Sequence, residues 1–266
     1  RGVVTASSYE ARALGVRSGM SLTAAARLAP RAIYLPVRHD TYGNYSRQVV
    51  SLAERYSPLV RVASIDELYM DFSGCERLYR TAHDASDDDA ILRVVTRLQR
   101  SIRDELGLPA SAGIATSKRV AKVACGVAKP NGVRLVPAGH EAALLAPLPV
   151  RRLPGIGPVA EQKLARAGIL TLGDLARTPL GPLRSVFGAW AEQIWLGARG
   201  RGTANLGRER PAFREHDPEG EVLGSISNEC TFREDVADAS CIERQLSELC
   251  ERVCFRARRR GVRART

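Results

Sequence analysis

Apolar positions recur at helical spacing from Tyr42 to Tyr56, where Tyr45, Val49, Leu52 and Tyr56 share one face, and this predicts an amphipathic helix. Two shorter helices are predicted before it, Ala11 to Gly15 and Ser21 to Pro30, the second capped by Ser21 and stopped at Pro30. The period then changes. Arg61 to Ile65 and Leu68 to Phe72 are short strand-like runs on either side of two polar residues, which predicts a hairpin. A helix is predicted from about Ala90 to Leu106, with the acids between Ala82 and Asp89 capping it and complementing its dipole. Ala110 to Ala115 reads as a strand, Ser117 to Ala128 as a helix and Gly132 to Val136 as another strand. The order hairpin, helix, strand, helix, strand predicts an α+β layer with helices on one face of a sheet.

From Leu148 to Arg177 the pattern is different. Leu153-Pro154-Gly155-Ile156-Gly157-Pro158 leads into a helical run, Ala160 to Ala167, and Gly168-Ile169 separates it from a second helix starting at Thr171. Gly197 to Gly220 alternates Gly, Arg, Pro and Glu and reads as a linker. The last segment predicts a strand over Leu223 to Ser227 and Glu229 to Phe232, then a helix from Ala237 to Arg252 or beyond.

Composition narrows the class. The 266 residues, 44% of them hydrophobic, suffice for two or three compact units with their own cores. A net charge of +11 favours an anionic partner, nucleic acid or an acidic membrane face. No apolar run approaches a membrane span and no signal peptide is evident, so a cytoplasmic protein is expected. The six cysteines show no C-x-x-C spacing and no clustered histidines, which argues against zinc. They are expected to be buried free thiols, including Cys250 and Cys254, one helical turn apart.

Asp66 and Glu67, at or beside the hairpin turn, are the main candidate chemistry. Adjacent acids there can be a solvated turn. They can also splay two hard oxygens around one cation, and magnesium usually takes one or two carboxylates and leaves its other positions to water and substrate phosphate. Two-metal phosphoryl transfer is therefore the first functional expectation. Asp87-Asp88-Asp89 is read as a set of capping acids, not a metal cluster. Only four of the 40 basic residues are lysines, Lys118, Lys122, Lys129 and Lys163. A retained Lys marks a place where a compact ammonium serves better than a guanidinium fork, and Lys129 stands at a helix end before a turn.

Gly155 and Gly157 would let the backbone come close to a ligand, and the amides opening the next helix form a ready phosphate site. This helix, glycine turn, helix pattern resembles a helix-hairpin-helix that binds DNA backbone without reading sequence, with Lys163 adding a charge. Arg252, Arg256, Arg258, Arg259, Arg260, Arg263 and Arg265 make a basic tail suited to phosphate.

Together these residues resemble the Y-family translesion DNA polymerases, of the polymerase IV type. The resemblance rests on Ser8-Tyr9-Glu10-Ala11-Arg12 with Gly15-Val16, Leu35-Pro36-Val37-Arg38, Ser64-Ile65-Asp66-Glu67 with Tyr69-Met70-Asp71, Ala128-Lys129-Pro130-Asn131-Gly132, and Pro154-Gly155-Ile156-Gly157. It implies an α+β palm with a mixed or antiparallel sheet backed by helices, small α-rich fingers, an all-α helix-hairpin-helix thumb and the start of an α/β little-finger domain. The implied layout is fingers 1–38, palm 39–136, thumb 137–205, linker 206–218 and partial little finger 219–266.

By the same resemblance Asp66 and Glu67 are catalytic metal ligands. Asp66 is shared between two Mg2+ ions, and Glu67 holds the one that activates the primer 3′-hydroxyl. Tyr9, Arg12 and Lys129 grip the incoming dNTP, and the turn from Gly155 to Gly157 holds duplex backbone, with Lys163 and the Arg258-Arg259-Arg260 run as further DNA contacts. The implied partners are primer-template DNA, dNTP and a sliding clamp; the implied state is a monomer, nucleoid-associated if bacterial. The family's remaining metal-binding Asp and its ribose-excluding aromatic fall on a strand upstream of Arg1, and only the first strand and helix of its last domain precede Thr266. The 266-residue chain alone is accordingly expected to be inactive or nearly so. Two rivals are a non-catalytic DNA-binding relative, which has no need of Asp66, Glu67, Tyr9 and Lys129 together, and a palm-type nucleotidyl cyclase, which leaves the DNA-binding segment unexplained.

Overall fold

The structure is a computed structural model that describes residues 2–204, 206, 225–232 and 234–263. The expected linker beyond Leu206, the strand start at Leu223-Gly224, and Arg265 lie outside these residues. Tertiary contacts divide the chain into two units, Arg1–Asp40 with Arg214–Thr266, and Thr41–Phe213.

In the first unit, α1 (Tyr9–Ala13) starts two residues earlier than its predicted apolar run, because Ser8 caps it by accepting from the Ala11 amide. Ser21 caps α2 (Leu22–Leu28) through the Ala24 amide, as the sequence predicts. Val4, Val16, Ala25 and Ala29 form a small core against these helices.

The long helix α3 (His39–Glu54) begins at the unit boundary and runs into the second unit. There β1 (Leu59–Ser64) and β2 (Glu67–Asp71) form the predicted antiparallel hairpin, with Val60 opposite Met70 and Val62 opposite Leu68. The register shifts between Val62 and Ser64, and Ser64 pairs with Glu67 across the tip. Ser57 ties the open end, its hydroxyl donating to the Asp71 carbonyl at 2.6 Å while accepting from the Leu59 amide. A one-turn helix, α4 (Glu76–Tyr79), leads to α5 (Asp87–Leu106). Ser86 and Asp89 cap α5 reciprocally, and Gly107, at φ 66°, ends it. The hairpin lays Val60, Leu68 and Met70 against a core of Leu52 and Ala53 from α3 and Leu98 and Ile102 from α5.

A parallel pair follows, β3 (Ala112–Ile114) and β4 (Val133–Leu135), joined through α6 (Lys118–Ala128). The predicted α+β layout therefore stands, with its strands shared between an antiparallel pair and a separate parallel pair. Gly113 lets α6 lie almost on β3: a Cβ there would sit 2.0 Å from the Ala121 carbonyl oxygen.

The chain then turns all-helical: α7 (Glu141–Leu145), α8 (Pro158–Arg166), α9 (Leu172–Arg177), α10 (Leu180–Phe187) and α11 (Ala191–Ala198). Leu145, Leu153, Leu164, Leu172, Leu175 and Leu183 are fully buried in one core with Val120, Val123 and Ala124 of α6. One face of α6 thus anchors the helical segment, while Ala121 and Cys125 lie against Gly113 of β3.

In the remaining described part of the first unit, Asp238 caps α12 (Ala239–Arg259), which runs seven residues beyond the predicted Arg252. Residues 225–232 carry no strand, contrary to the pattern, because an alternating run becomes a strand only when it has a partner. The buried-thiol expectation also fails: Cys250 and Cys254 are exposed, since α12 buries none of its residues, and Cys230 is exposed in the strandless run 225–232. No helix among the described residues is long and apolar enough to cross a membrane.

Candidate active site at the hairpin tip

The hairpin turns at Ile65-Asp66, one residue earlier than the expected Asp66-Glu67, so that Asp66 lies in the turn and Glu67 beside it in β2, both exposed. The Ser64 hydroxyl donates to Asp66 Oδ1 at 2.6 Å and accepts from the Asp66 amide, so the last residue of β1 aims the first carboxylate. Glu67 opens β2 and receives the ammonium of Lys122 on its Oε2. Lys122 lies 55 residues away in sequence, on α6, and reaches Glu67 through its side chain.

Along α6, Lys118, Lys122 and Cys125 recur at four- and three-residue steps, and Lys129 at the C-cap continues the line. At about 100° per residue these positions fall within about 60° of one another, opposite Val120, Val123 and Ala124. The electrostatics report the same neighbourhood. Burial pushes the Lys122 ammonium toward lower pKa, but the Glu67 hydrogen bond and the charges of Glu67, Tyr69 and Asp66 prevail and raise it. Burial raises the Cys125 thiol, with Glu67 adding to the rise and Lys129 and Lys122 opposing it. Asp66, Glu67, Lys122 and Lys129 are therefore joined by one local field.

Lys129 begins a tight turn, Lys129-Pro130-Asn131-Gly132, with Asn131 at φ 55°. A Cβ on Gly132 would stand 2.4 Å from the Ala128 carbonyl oxygen, so the close return of the chain requires glycine. Sequence reasoning names Asp66, Glu67 and Lys129 but passes over Lys122; the rarity of lysine and the spacing of Lys122 from Lys129 were the available signals.

The other expected residues lie elsewhere. Tyr9 and Arg12 sit on exposed α1 in the first unit, the Arg12 guanidinium 5.5 Å from the Tyr9 ring centroid and its Nε donating to the Ser7 hydroxyl. In the second unit, Gly155 takes φ 100°, Ile156 is buried, and Gly157 forms the N-cap of α8 with Pro158 at its first position. The turn thus anchors through Ile156 and exposes both glycines and Lys163. Arg258 and Arg259 occupy the last turn of α12 and Arg260 its C-cap, where cations also complement the helix dipole.

Two adjacent oxygen-donor acids fit the way magnesium binds when substrate supplies further ligands. No group of three or more His, Cys, Asp or Glu that could hold a metal occurs among the described residues. The donor set suits an ion shared with substrate better than one enclosed by protein. Asp87, Asp88 and Asp89 serve α5 as first-turn acids, as expected.

Comparison with known proteins places the chain by its overall similarity. The impB/mucB/samB family matches residues 1–126 and its C-terminal domain residues 224–266; the thumb domain of DNA polymerase-iota matches residues 151–201. The DNA polymerase IV of Dehalococcoides mccartyi strain CBDB1 is 39% identical over the whole chain, which spans 63% of that relative. The DNA polymerase IV of Alkalilimnicola ehrlichii is 35% identical, with 69% of its length covered. Among solved structures, DinB from Sulfolobus solfataricus aligns at 28% identity and TM-score 0.69, over 77% of this chain and 58% of that one. A Y-family chimera of Dbh and Dpo4 aligns at 25% identity and TM-score 0.77, over 96% and 68%. The chain spans just under two thirds of the length of several of these relatives. On these matches, over the whole length of the chain, it belongs to the impB/mucB/samB family, the Y family of DNA polymerases, on its polymerase IV side.

Proposed function

We propose that the protein is a template-directed DNA polymerase of low fidelity that acts in translesion synthesis, transferring a nucleotide from dNTP to a primer 3′-hydroxyl. The observation that carries this reading is the pair Asp66 and Glu67 at a hairpin tip beside the lysine-bearing face of α6. Asp66 and Glu67 would hold two Mg2+ ions, with Asp66 shared. Bound there, the ions supply activation of the primer hydroxyl and neutralisation of triphosphate charge. Ser64 keeps the Asp66 carboxylate turned to the tip. Lys129 holds triphosphate as a point charge, and Tyr9 and Arg12 add a hydroxyl donor and a guanidinium fork. Single preorganised donors of this kind contribute about 3 to 4 kcal/mol of transition-state stabilisation.

The domain reading is fingers 1–38, palm 39–136, thumb 137–205, linker 206–218 and little finger from 219. Gly155, Gly157 and Lys163 would follow duplex backbone, with Arg258, Arg259 and Arg260 as a second basic contact. A monomer working with a sliding clamp belongs to the same reading. The test is primer extension by the whole protein with Mg2+, on undamaged and lesion-bearing templates, beside Glu67→Gln. Extension by a few nucleotides, lowered at least 100-fold in the variant, supports the reading; that loss corresponds to about 2.7 kcal/mol. Duplex binding without extension would leave a non-catalytic DNA-binding relative.

A further inference from the structure

We propose that Lys122 is a built-in counter-cation of the hairpin carboxylates: its ammonium holds Glu67 when no divalent ion is bound and is displaced when one binds. The inference rests on the metal role proposed for Glu67. Its direct basis is the ion pair between Lys122 Nζ and Glu67 Oε2, reached from a different element.

Three features suit exchange better than a fixed bridge. Both side chains are close to half exposed, 42% for Lys122 and 43% for Glu67, and ion pairs so open to water are weak and easily broken. The cation is a lysine in a chain that otherwise overwhelmingly uses arginine. A guanidinium would grip both carboxylate oxygens in a planar fork, whereas an ammonium binds one oxygen and leaves readily. The released ammonium also has somewhere to go. Lys122 shares its stripe on α6 with Lys129, so its charge would stay on the side where Lys129 holds triphosphate.

In this arrangement Lys122 opposes the metal in the substrate-free protein. Removing its charge relieves both the competition for Glu67 and the repulsion of a nearby dication. Replacing it with arginine strengthens the competitor.

The probe is Mn2+, followed through the electron paramagnetic resonance signal of the free ion, without DNA or nucleotide. Wild type, Lys122→Met, Lys122→Arg and Glu67→Gln are compared, each first checked for native circular dichroism. The expected result is Mn2+ binding about three- to tenfold tighter in Lys122→Met, no tighter than wild type in Lys122→Arg, and weaker in Glu67→Gln. Unchanged or weaker binding in Lys122→Met overturns the inference, as does absence of binding by both it and wild type at millimolar Mn2+. If Glu67→Gln binds as well as wild type, the proposed metal role of Glu67 fails, an outcome separate from anything Lys122→Met does.

Discussion

The side-chain amide of Gln99 donates to the Asn131 carbonyl at 2.6 Å and to the Ala110 carbonyl at 3.0 Å, tying the turn after α6 to the lead-in of β3. Lys129 opens that turn, so a residue of α5 that points at no substrate sets where Lys129 begins.

Gln99→Leu keeps most of the volume and removes both donations. The site is partly open to water, so the stability cost is about 1 kcal/mol. The dNTP KM of the whole protein is expected to rise several-fold while duplex affinity stays put. Steady-state kinetics at varied dNTP checks this; a lower melting temperature with unchanged KM would make Gln99 a structural tie only.

Two glycines should respond oppositely to alanine. At Gly113 a Cβ would meet the Ala121 carbonyl oxygen at 2.0 Å and the Cys125 amide nitrogen at 2.3 Å, and neither backbone atom can yield without moving α6 off β3. Gly113→Ala should cost at least about 1 to 3 kcal/mol by urea denaturation. Gly181 in α10 has no atom within 4 Å of an added Cβ, and Gly181→Ala should stabilise by up to about 1 kcal/mol through helix propensity. Equal effects at the two positions would contradict the close packing of α6.

What the sequence made legible follows the range of the forces involved. Ser21, Ser86 with Asp89, and the hairpin turn act within three or four residues, and the elements they define are found close to where the pattern puts them, the turn falling at Ile65-Asp66, one residue before the expected pair. Errors of one to three residues arise where a polar cap outranks apolar spacing, as Ser8 does for α1. The Lys122 to Glu67 contact spans 55 residues and joins two elements, which no local pattern encodes. Asp84 looked like one capping acid among several; its true partner is Arg93, on the second turn of α5. The absent strand over 225–232 and the exposed thiols of α12 share one cause, since pattern predicts a face that could be covered without supplying the cover.

Asp84 should dominate the acid limb of stability. Its side chain is 5% exposed and receives two nitrogens of Arg93, at 2.7 and 2.9 Å. The Arg93 hydrogen bond holds its carboxyl far below the usual carboxylate range; burial opposes this, and the Thr81 amide and hydroxyl reinforce it. A carboxyl held down in the folded state binds fewer protons folded than unfolded. Its contribution is therefore complete above the ordinary value near pH 4 and is lost as pH falls below it. Melting temperature against pH should drop steeply below about pH 4 in wild type. In Asp84→Asn it should be lower at neutral pH and flatter in acid, and an unchanged acid slope would exclude this pair as the cause.

The two proposed duplex contacts differ in what else they do, and this separates them experimentally. Lys163 is exposed on α8, beyond a glycine turn already anchored by buried Ile156. Lys163→Ala should weaken duplex binding equally for all sequences, and one lost phosphate contact should reduce the slope of log K against log salt by about 0.9. Arg258 and Arg259 lie in the last turn of α12, where a cation stabilises the helix by about 0.3 to 1 kcal/mol. Arg259→Ala should then lower both the salt slope and the helical signal near 222 nm, whereas Lys163→Ala leaves that signal intact. Fluorescence anisotropy of a labelled primer-template across a salt series reads the slopes. Loss of helicity without a change in slope would assign the basic tail to the dipole of α12 and leave Lys163 with the glycine turn as the duplex contact.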